Sequence, residues 1–330
     1  MRGNLSIFIS LQGCPYQCIY CDQRKISGEQ TMSPDKAAEI LKKEMPRWRA
    51  KKMQGEIAFF GGTFTGLSIS RMKEYLDVAV PYVRADVVDG IRISTRPDYI
   101  DNTILKLLAE YGVTHIELGV QSLDDEVLRT SGRGYTCDTV AQSAKMILDA
   151  GFTLGMQMMP GLPGDTAEKS METAGKIISL GARETRIYPT LVIRDTPLAK
   201  LYEDGKYSPL KTEEAVDLVA ALKTLFEDNS VKVLKVGLHS GEIEKEIIAG
   251  PFHPAFGQLV NSKICLEKIR SFCLEKKLRD TVLYVRPKRY DLSDVIGQHR
   301  SNVQLLEEEF GISLKISKKE LTNSEISIIL

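Results

Sequence analysis

The sequence is poor in histidine and tryptophan, carries no net charge and lacks any apolar run of membrane-spanning length. It contains 4 His and 1 Trp in 330 residues, and 44 Lys and Arg balance 44 Asp and Glu. A neutral chain has no general attraction for polyanions, so any contact with nucleic acid requires a local basic cluster. No segment approaches the ~20 apolar residues of a membrane span. The N-terminus enters an expected strand directly, without the basic segment and apolar centre of a signal peptide.

Cysteine is also scarce, with 6 residues in the chain, three of which lie close together. This distribution argues against a secreted disulfide framework and favours a reducing compartment. A hydrophobic content of 43% and a charged content of 27% are those of an ordinary globular protein. We therefore expect a cytoplasmic protein with no membrane partner.

The three clustered cysteines follow an apolar run, Leu5 to Leu11, that is typical of a buried strand. Cys14, Cys18 and Cys21 have the spacing C-x3-C-x2-C and can turn their sulfurs toward one point. A structural zinc site usually has a fourth ligand, and an iron–sulfur cube is normally held by four thiolates. No fourth cysteine lies nearby, so a cube held here would keep one iron open to a ligand that is not protein. Three buried or zinc-binding cysteines are the alternative interpretation.

The loop Gly13-Cys14-Pro15-Tyr16-Gln17-Cys18-Ile19-Tyr20-Cys21 resembles the signature of radical S-adenosylmethionine (SAM) enzymes, including the aromatic Tyr20 before the last cysteine. The resemblance implies two cofactors, a [4Fe-4S] cluster and S-adenosyl-L-methionine. It also implies that the amine and carboxylate of the methionyl group chelate the open iron, and that one electron, from a donor the sequence does not reveal, releases a 5′-deoxyadenosyl radical. The cofactor carries the difficult chemistry, and the protein supplies binding and orientation.

Six strand-then-helix units follow one another up to residue 230, which indicates a parallel sheet with right-handed crossovers. Six units are too few for a complete eight-stranded barrel. The sequence therefore predicts an α/β protein with a partial (β/α)6 TIM-like barrel over residues 1–230. Ligands of such sheets bind at the carboxyl ends of the strands.

The residues that follow the expected strands carry the site that the resemblance implies. The family uses the Gly-Gly-Thr turn for the methionyl amine, a glutamine for the ribose, an arginine for the methionyl carboxylate and a Gly/Pro-rich turn for the adenine. Serine stands where related enzymes often carry a glutamate. Arg96 is either an anion contact or an ion-pair partner. The matching cofactor contacts are Tyr20, Gly61, Gly62, Thr63, Ser94, Gln121, Arg133 and Gly161.

Two further segments narrow the resemblance. Thr95-Arg96-Pro97-Asp98 and the stretch from Arg186 to Thr196 are similar to the radical domain of the Elongator catalytic subunit, which modifies the wobble uridine of tRNA. The resemblance covers about residues 4–230. The acetyltransferase domain of that family has no counterpart after residue 230, so only radical initiation is implied here.

Residues 231–280 are expected to form an extension with a basic helix. The segment Gln258–Tyr290 carries 9 Lys and Arg against 3 Asp and Glu, a local net charge of +6. This charge is a candidate contact for a phosphate backbone, for example through Lys276 and Lys277, and a solvated helix face is the alternative. His239 and His253 lie in loops rich in Gly and Pro. They either act on substrate or are satisfied by backbone hydrogen bonds.

Residues 281–330 resemble a KH domain, an α+β module whose G-x-x-G loop clamps a nucleic-acid backbone. An expected helix ends in Ile296-Gly297-Gln298-His299-Arg300, and a second helix and a strand follow. Arg300 replaces the last glycine of the loop. Gly297 and Arg300 are accordingly candidate RNA contacts.

Three functions remain open at this stage. The first is a radical SAM enzyme that modifies RNA, with tRNA as the expected partner. The second is a radical SAM enzyme acting on a small molecule such as a porphyrin-type substrate. The third is an RNA-binding protein whose metal site is structural. The catalytic residues that act on the substrate are not identified by the sequence.

Overall fold

The computed structural model describes residues 2–10, 12–14, 18–22, 25, 32–238, 241–317 and 327–330. The chain divides into two compact units. The barrel unit comprises Met1–Leu210 and Phe226–Pro251, and the small unit comprises Lys211–Leu225 and Phe252–Leu330.

The barrel unit is built on a seven-stranded sheet whose strands are all parallel, in the order β1-β2-β3-β4-β5-β6-β8. Its strands are β1 (Arg2–Phe8), β2 (Gln54–Phe60), β3 (Gly90–Thr95), β4 (Val113–Gln121), β5 (Thr153–Met158), β6 (Glu184–Ile187) and β8 (Lys232–Val236). A short antiparallel pair, β7 (Val192–Ile193) and β9 (Ile247–Ala249), lies outside this sheet.

Helices connect the strands, and the helix that leads into β2 begins after a side-chain cap. Ser33 accepts a hydrogen bond from the backbone of Lys36, as expected of a helix N-cap followed by proline. The helices are α1 (Pro34–Ala50), α2 (Ile69–Arg84), α3 (Asn102–Glu110), α4 (Asp125–Thr130), α5 (Cys137–Asp149), α6 (Ala167–Ser179), α7 (Pro197–Glu203) and α8 (Thr212–Asp228).

The fold class is confirmed as a partial TIM-like barrel, with one strand more than the six that the sequence predicts. The sequence assigns Lys232–Val236 to the extension after residue 230, but this segment pairs in parallel with β6 and is the seventh strand of the sheet. The long connection between β6 and β8 allows the crossover that a parallel neighbour requires. The first strand also differs from the apolar run Leu5 to Leu11 that the sequence predicts. It ends at Phe8, and Gln12 N then donates a hydrogen bond to Ile9 O.

The small unit contains a three-stranded parallel sheet in the order β11-β10-β12. Its elements after residue 252 are α9 (Phe256–Glu275), β10 (Val282–Arg286), α10 (Leu292–Ile296), α11 (Ser301–Phe310), β11 (Ser313–Ile316) and β12 (Ser327–Ile329). The expected succession of helix, Ile-Gly turn, helix and strand is present. The resemblance to a KH domain stays a prediction.

Two cysteines of the small unit belong to its core. Cys265 and Cys273 are 0% and 1% exposed on the same helix as the fully buried Ile269. None of the helices among the described residues has both the length and the apolar character that crossing a bilayer requires.

Candidate functional site

The barrel unit has a cavity of about 390 Å³ bordered by the residues that follow the strands. The sequence predictions meet here, because ten of the eleven proposed cluster and cofactor residues line this one cavity. They are Cys14, Cys18, Tyr20, Cys21, Gly61, Gly62, Thr63, Ser94, Gln121 and Arg133. Gly161 lies outside its lining.

The three cysteines border the cavity in different environments. Cys18 is buried, and its Sγ lies 3.1 Å from Arg133 Nη1. Cys14 is half-buried, with Sγ 3.2 Å from Thr63 Oγ1. Within the described part of the chain, no three Cys, His, Asp or Glu side chains are already gathered as metal ligands. The donor set nevertheless fits an iron–sulfur cluster, since thiolates are the ligands that such clusters take.

The turn after β2 lies directly against the cysteine loop, backbone on backbone. Thr63 N donates to Gln12 O at 2.9 Å, and a Cβ added to Gly62 would lie within 2.9 Å of Ile9 O. Gly13 has a φ of +72°, which a glycine adopts without strain. Gly66 faces the carbonyl of Gly13 so closely that a Cβ would clash with it. The glycines are therefore required for this close approach, which sets the position of the first two loops.

Arg133 is buried at the centre of a hydrogen-bond cluster. Its Nη1 donates to Tyr20 Oη at 3.1 Å, its Nε donates to Tyr135 Oη at 2.8 Å, and its Nη2 donates to Gly119 O. Burial disfavours its charge, but the neighbouring Tyr135, Tyr20 and Cys18 outweigh this, so the pKa of Arg133 is raised well above its usual range. Burial in turn raises the pKa of Tyr20, which keeps the phenol protonated. A permanent cation therefore lies beside Cys18.

Gln121 has two features of a residue held for a ligand. It adopts a left-handed backbone with φ of +67°, next to a register shift at the end of β4. Its Oε1 atom is buried, and no residue in the described part of the chain donates a hydrogen bond to it. A buried amide oxygen without a partner is costly. A hydroxyl group of a bound ligand would satisfy it, which fits the ribose contact that the sequence predicts.

The predicted contact at Ser94 is part of a pair. Ser94 Oγ accepts a hydrogen bond of 3.0 Å from Gln157 Nε2, and both residues line the cavity. Sequence reasoning missed Gln157, and it missed Arg186, Tyr188 and Lys235, which line the cavity as well. In the sequence, only the alternation of side chains along β5, β6 and β8 could have indicated which of these residues face the inside of the barrel.

Gly161 supports the site from outside the cavity lining. Its backbone N donates to Asp165 Oδ2 at 2.8 Å, and its carbonyl accepts 2.6 Å from Tyr207 Oη. Met159, two residues earlier, lines the cavity, whereas Met156 and Met158 of β5 are buried in the core. Burial raises the pKa of Asp165. The turn after β5 is thus held by polar contacts on both sides.

Arg96 is an ion-pair partner, which resolves the alternative left open by the sequence. Its Nε and Nη2 atoms each lie 2.9 Å from one carboxylate oxygen of Asp98. Its guanidinium also lies over the ring of Tyr135, 5.1 Å from the centroid. Arg96 lines the cavity with its charge already matched by a carboxylate.

The four candidate RNA contacts lie in the small unit. Gly297 is buried with a φ of +79°, and the exposed Arg300 immediately precedes α11 with a φ of +64°. Lys276 and Lys277 are exposed at the end of α9, where Lys276 Nζ lies 2.9 Å from Glu275 Oε1.

Two other residues singled out by the sequence have structural surroundings. His253 Nδ1 accepts a hydrogen bond of 3.0 Å from Ala255 N, as expected of a histidine satisfied in a turn. His239 lies outside the described residues. Cys137 is the first residue of α5, and burial together with Asp125 raises the pKa of its thiol to about 12.

Comparison with known proteins identifies the family of the chain. Residues 8–177 match the family model described as the Radical SAM superfamily, and residues 183–265 match the Radical SAM C-terminal domain. Elongator complex protein 3 of Saccharomyces cerevisiae is 34% identical over 190 residues, which are 52% of this chain and 34% of that protein. A tRNA uridine(34) acetyltransferase of Dehalococcoides mccartyi is 26% identical over 248 residues, 64% of this chain and 54% of that protein. The chain thus matches about a third to a half of the length of these curated relatives.

Among solved structures, the archaeal Elp3 of Methanocaldococcus infernus with an N-terminal deletion has a TM-score of 0.62 at 20% identity. The match covers 84% of this chain and 64% of that one. At this identity the likeness shows the fold, a partial barrel. Residues 8–177 alone are more than half of the 330-residue chain. The chain therefore belongs to the radical SAM superfamily, and it is an enzyme that uses a [4Fe-4S] cluster and S-adenosylmethionine.

Proposed function

We propose that this radical SAM enzyme modifies RNA and that its substrate class is tRNA. The name of the Dehalococcoides relative, tRNA uridine(34) acetyltransferase, supports this substrate class. The observation that carries the proposal is the excess of 9 Lys and Arg over 3 Asp and Glu in Gln258–Tyr290, with Lys276 and Lys277 exposed, in a chain of zero net charge. We propose in addition that the enzyme works in the cytoplasm, since all six cysteines are free thiols.

In the barrel unit we assign the roles of the cavity residues as follows. Cys14, Cys18 and Cys21 hold the cluster through three thiolates. When bound, the cluster and SAM together supply a 5′-deoxyadenosyl radical that abstracts hydrogen from the substrate. The short turn after β2 (Gly61, Gly62 and Thr63) offers its backbone polar groups to the methionyl amine. Arg133 brings a permanent positive charge to the methionyl carboxylate.

The remaining contacts orient the cofactor. Gln121 Oε1 is buried without a partner in the described part of the chain, and we assign it to the ribose hydroxyls. Gly161, held by Asp165 and Tyr207, positions the turn that we assign to the adenine. Ser94 and Tyr20 also line the cavity, and we assign them further contacts with the cofactor. Apolar side chains such as Phe8, Phe60 and Leu191 also line the cavity and exclude water from a reactive site.

In the small unit we assign the RNA contact to the basic end of α9 and to the turn between α10 and α11. Several other cations of α9 are already matched by carboxylates, such as Lys263 by Asp217 at 3.0 Å and Arg270 by Glu309. Lys277 and Arg300 are both exposed. Surface cations bind phosphates by releasing counterions, so the affinity of such a surface falls steeply with salt.

The proposal is tested by anaerobic incubation of the reconstituted enzyme with cellular RNA and SAM, followed by mass spectrometry of the nucleosides. We expect a modified nucleoside that a Cys18→Ala variant does not produce. SAM cleavage with no change in any nucleoside would favour a small-molecule substrate. RNA binding without iron, sulfide or SAM cleavage would favour the non-enzymatic alternative.

RNA binding by the small unit is tested separately with a matched pair of variants. K276E/K277E should weaken RNA binding and reduce the slope of log affinity against log salt by ~1 for each lysine that no longer binds a phosphate. K42E/K43E changes two exposed adjacent lysines of α1 in the barrel unit and serves as the control. Equal affinity and salt slope in the two double variants would contradict the assignment.

A further inference from the structure

The cavity is lined by four cations, and no Asp or Glu is found among the described residues of its lining. Two of the cations, Arg96 and Arg133, lie beside Cys18, with Nη1 atoms 4.0 and 3.1 Å from its Sγ. The other two, Arg186 and Lys235, come from β6 and β8, the last two strands of the sheet. They belong to the opposite sheet edge from β1, the strand that leads into the cysteine loop.

These two cations are part of a row across three neighbouring strands. The register pairs Gln157 on β5 with Arg186 on β6, and Arg186 with Lys235 on β8. Residues paired in this way on parallel strands point to the same face of the sheet, and all three line the cavity. Gln157 also donates to Ser94 Oγ, so its amide is held in place. The row therefore presents one amide and two cations to the same space.

The carboxylates nearest to this row lie deeper in the barrel. Glu117 binds Arg186 Nε at 2.8 Å, but it also binds Arg92 Nη1 at 2.8 Å. Arg92 in turn holds Glu56 and Glu184, at 2.8 and 2.6 Å. The negative charge is therefore concentrated around Arg92, and none of these carboxylates belongs to the cavity lining.

Arg186 is close enough to Lys235 to disfavour the charge of the lysine. Burial of Arg186 itself is outweighed by Glu117 and Tyr188, which raise its pKa. Lys235 is half-buried, and burial together with the neighbouring Arg186 lowers the pKa of its ammonium group. Glu117 holds Arg186 through two contacts, 2.8 Å to Nε and 3.2 Å to Nη2, so the repulsion acts mainly on the partly buried Lys235. An anion bound beside Lys235 would offset this repulsion and accept charge-assisted hydrogen bonds.

We propose that Lys235, Arg186 and Gln157 form an oxyanion subsite, which holds a carboxylate or phosphate group of the second reactant at the end of the cavity opposite the cysteine loop. Arg133, beside Cys18, is then left for the cluster and for SAM. The subsite does not depend on the RNA proposal, because it concerns a small anionic group that any substrate or co-substrate of the enzyme can carry.

The test measures binding of two probes, ¹³C-acetate and inorganic phosphate, to the anaerobically reconstituted enzyme without RNA. Line broadening of the ¹³C and ³¹P resonances reports binding, and the two probes separate a carboxylate source from a phosphate source. We expect at least one probe to bind and K235M to weaken it by at least about tenfold, the effect of removing one charged hydrogen-bond donor. K235R keeps the charge and should bind within about threefold of the native enzyme.

K232M is the matched control, since Lys232 is exposed on the same strand and does not line the cavity. It should bind the probe like the native enzyme. Far-UV circular dichroism and iron content establish that K235M is folded and loaded. The proposal is overturned if neither probe binds, or if K235M and K232M bind the probe alike. Failure of the RNA experiments with retained probe binding would refute the RNA proposal alone.

Discussion

Replacing Gly66 by alanine tests whether the contact between the first two loops positions the cysteines. Gly66 has no positive φ, so alanine brings no backbone strain of its own. Its added Cβ would lie 2.2 Å from Gly13 O, whereas real Cβ contacts below 3.0 Å are essentially never seen. One of the two backbones therefore has to move by about 0.8 Å. Gly13 immediately precedes Cys14, so the displacement reaches the first of the three thiols.

Two effects of this displacement have a known size. Overpacking of this kind costs about 1–3 kcal/mol of the free energy of unfolding. A misplacement of about 1 Å in a catalytic arrangement lowers a rate by roughly a hundredfold. We expect Gly66→Ala to fold, to lose up to about 3 kcal/mol of stability, and to lower 5′-deoxyadenosine formation by at least about tenfold.

The assay combines urea unfolding with iron and sulfide analysis and with the rate of 5′-deoxyadenosine formation under anaerobic conditions. Gly175→Ala is the control, since Gly175 lies within α6 and an added Cβ would meet nothing within 4 Å. It should raise the free energy of unfolding by about 0.5–1 kcal/mol without changing the rate. A Gly66→Ala enzyme as stable and as fast as Gly175→Ala would refute the reasoning.

Three further predictions follow from single groups. Alanine at any one of Cys14, Cys18 and Cys21 should abolish iron binding and SAM cleavage. The far-UV circular dichroism should stay native, because these cysteines lie in a loop. A native rate of 5′-deoxyadenosine formation in any such variant would contradict their assignment. Burial alone would raise the pKa of Glu56, but the hydrogen bond from His115 and the charge of Arg92 lower it to about 2, from an ordinary value of 4.5. A lowered pKa means that the ionised Glu56 stabilises the fold above about pH 4.5 and that this contribution is lost as the pH falls toward 2. The native protein should therefore lose about 3 kcal/mol of its stability advantage over Glu56→Gln between these two pH values, as measured by urea unfolding. A difference in stability that stays constant with pH would contradict the prediction. Asp165→Ala removes the acceptor of Gly161 N and should raise the KM for SAM with iron content unchanged, and an unchanged KM would count against the role of the turn after β5.

The sequence alone determined the fold class and the cluster loop. The alternation of apolar strands and amphipathic helices, with caps such as Ser33, predicts a parallel sheet because these signals are local in the chain. The spacing of the three cysteines is also local. The rule that ligands bind at the carboxyl ends of parallel strands then predicts that Gly62 and Gln121 share one site, and the family resemblance adds Arg133; all three line the same cavity.

Only the tertiary structure decided which strands belong to the sheet and which inner side chains border the cavity. Lys232–Val236 has the pattern of a strand in the sequence, but its pairing with β6 is a long-range choice that no local pattern encodes. The approach of Gly66 to Gly13 depends in the same way on two loops that are distant in sequence.

Tertiary contacts also decide two other features. One is whether Arg96 pairs with a carboxylate or contacts a ligand, and the other is the alignment of Gln157, Arg186 and Lys235 in one row. A charged residue in a strand looks the same in sequence whether it faces solvent, a buried carboxylate or a ligand. The curvature and register of the folded sheet decide between these surroundings, because they alone determine which groups from separate strands share one space.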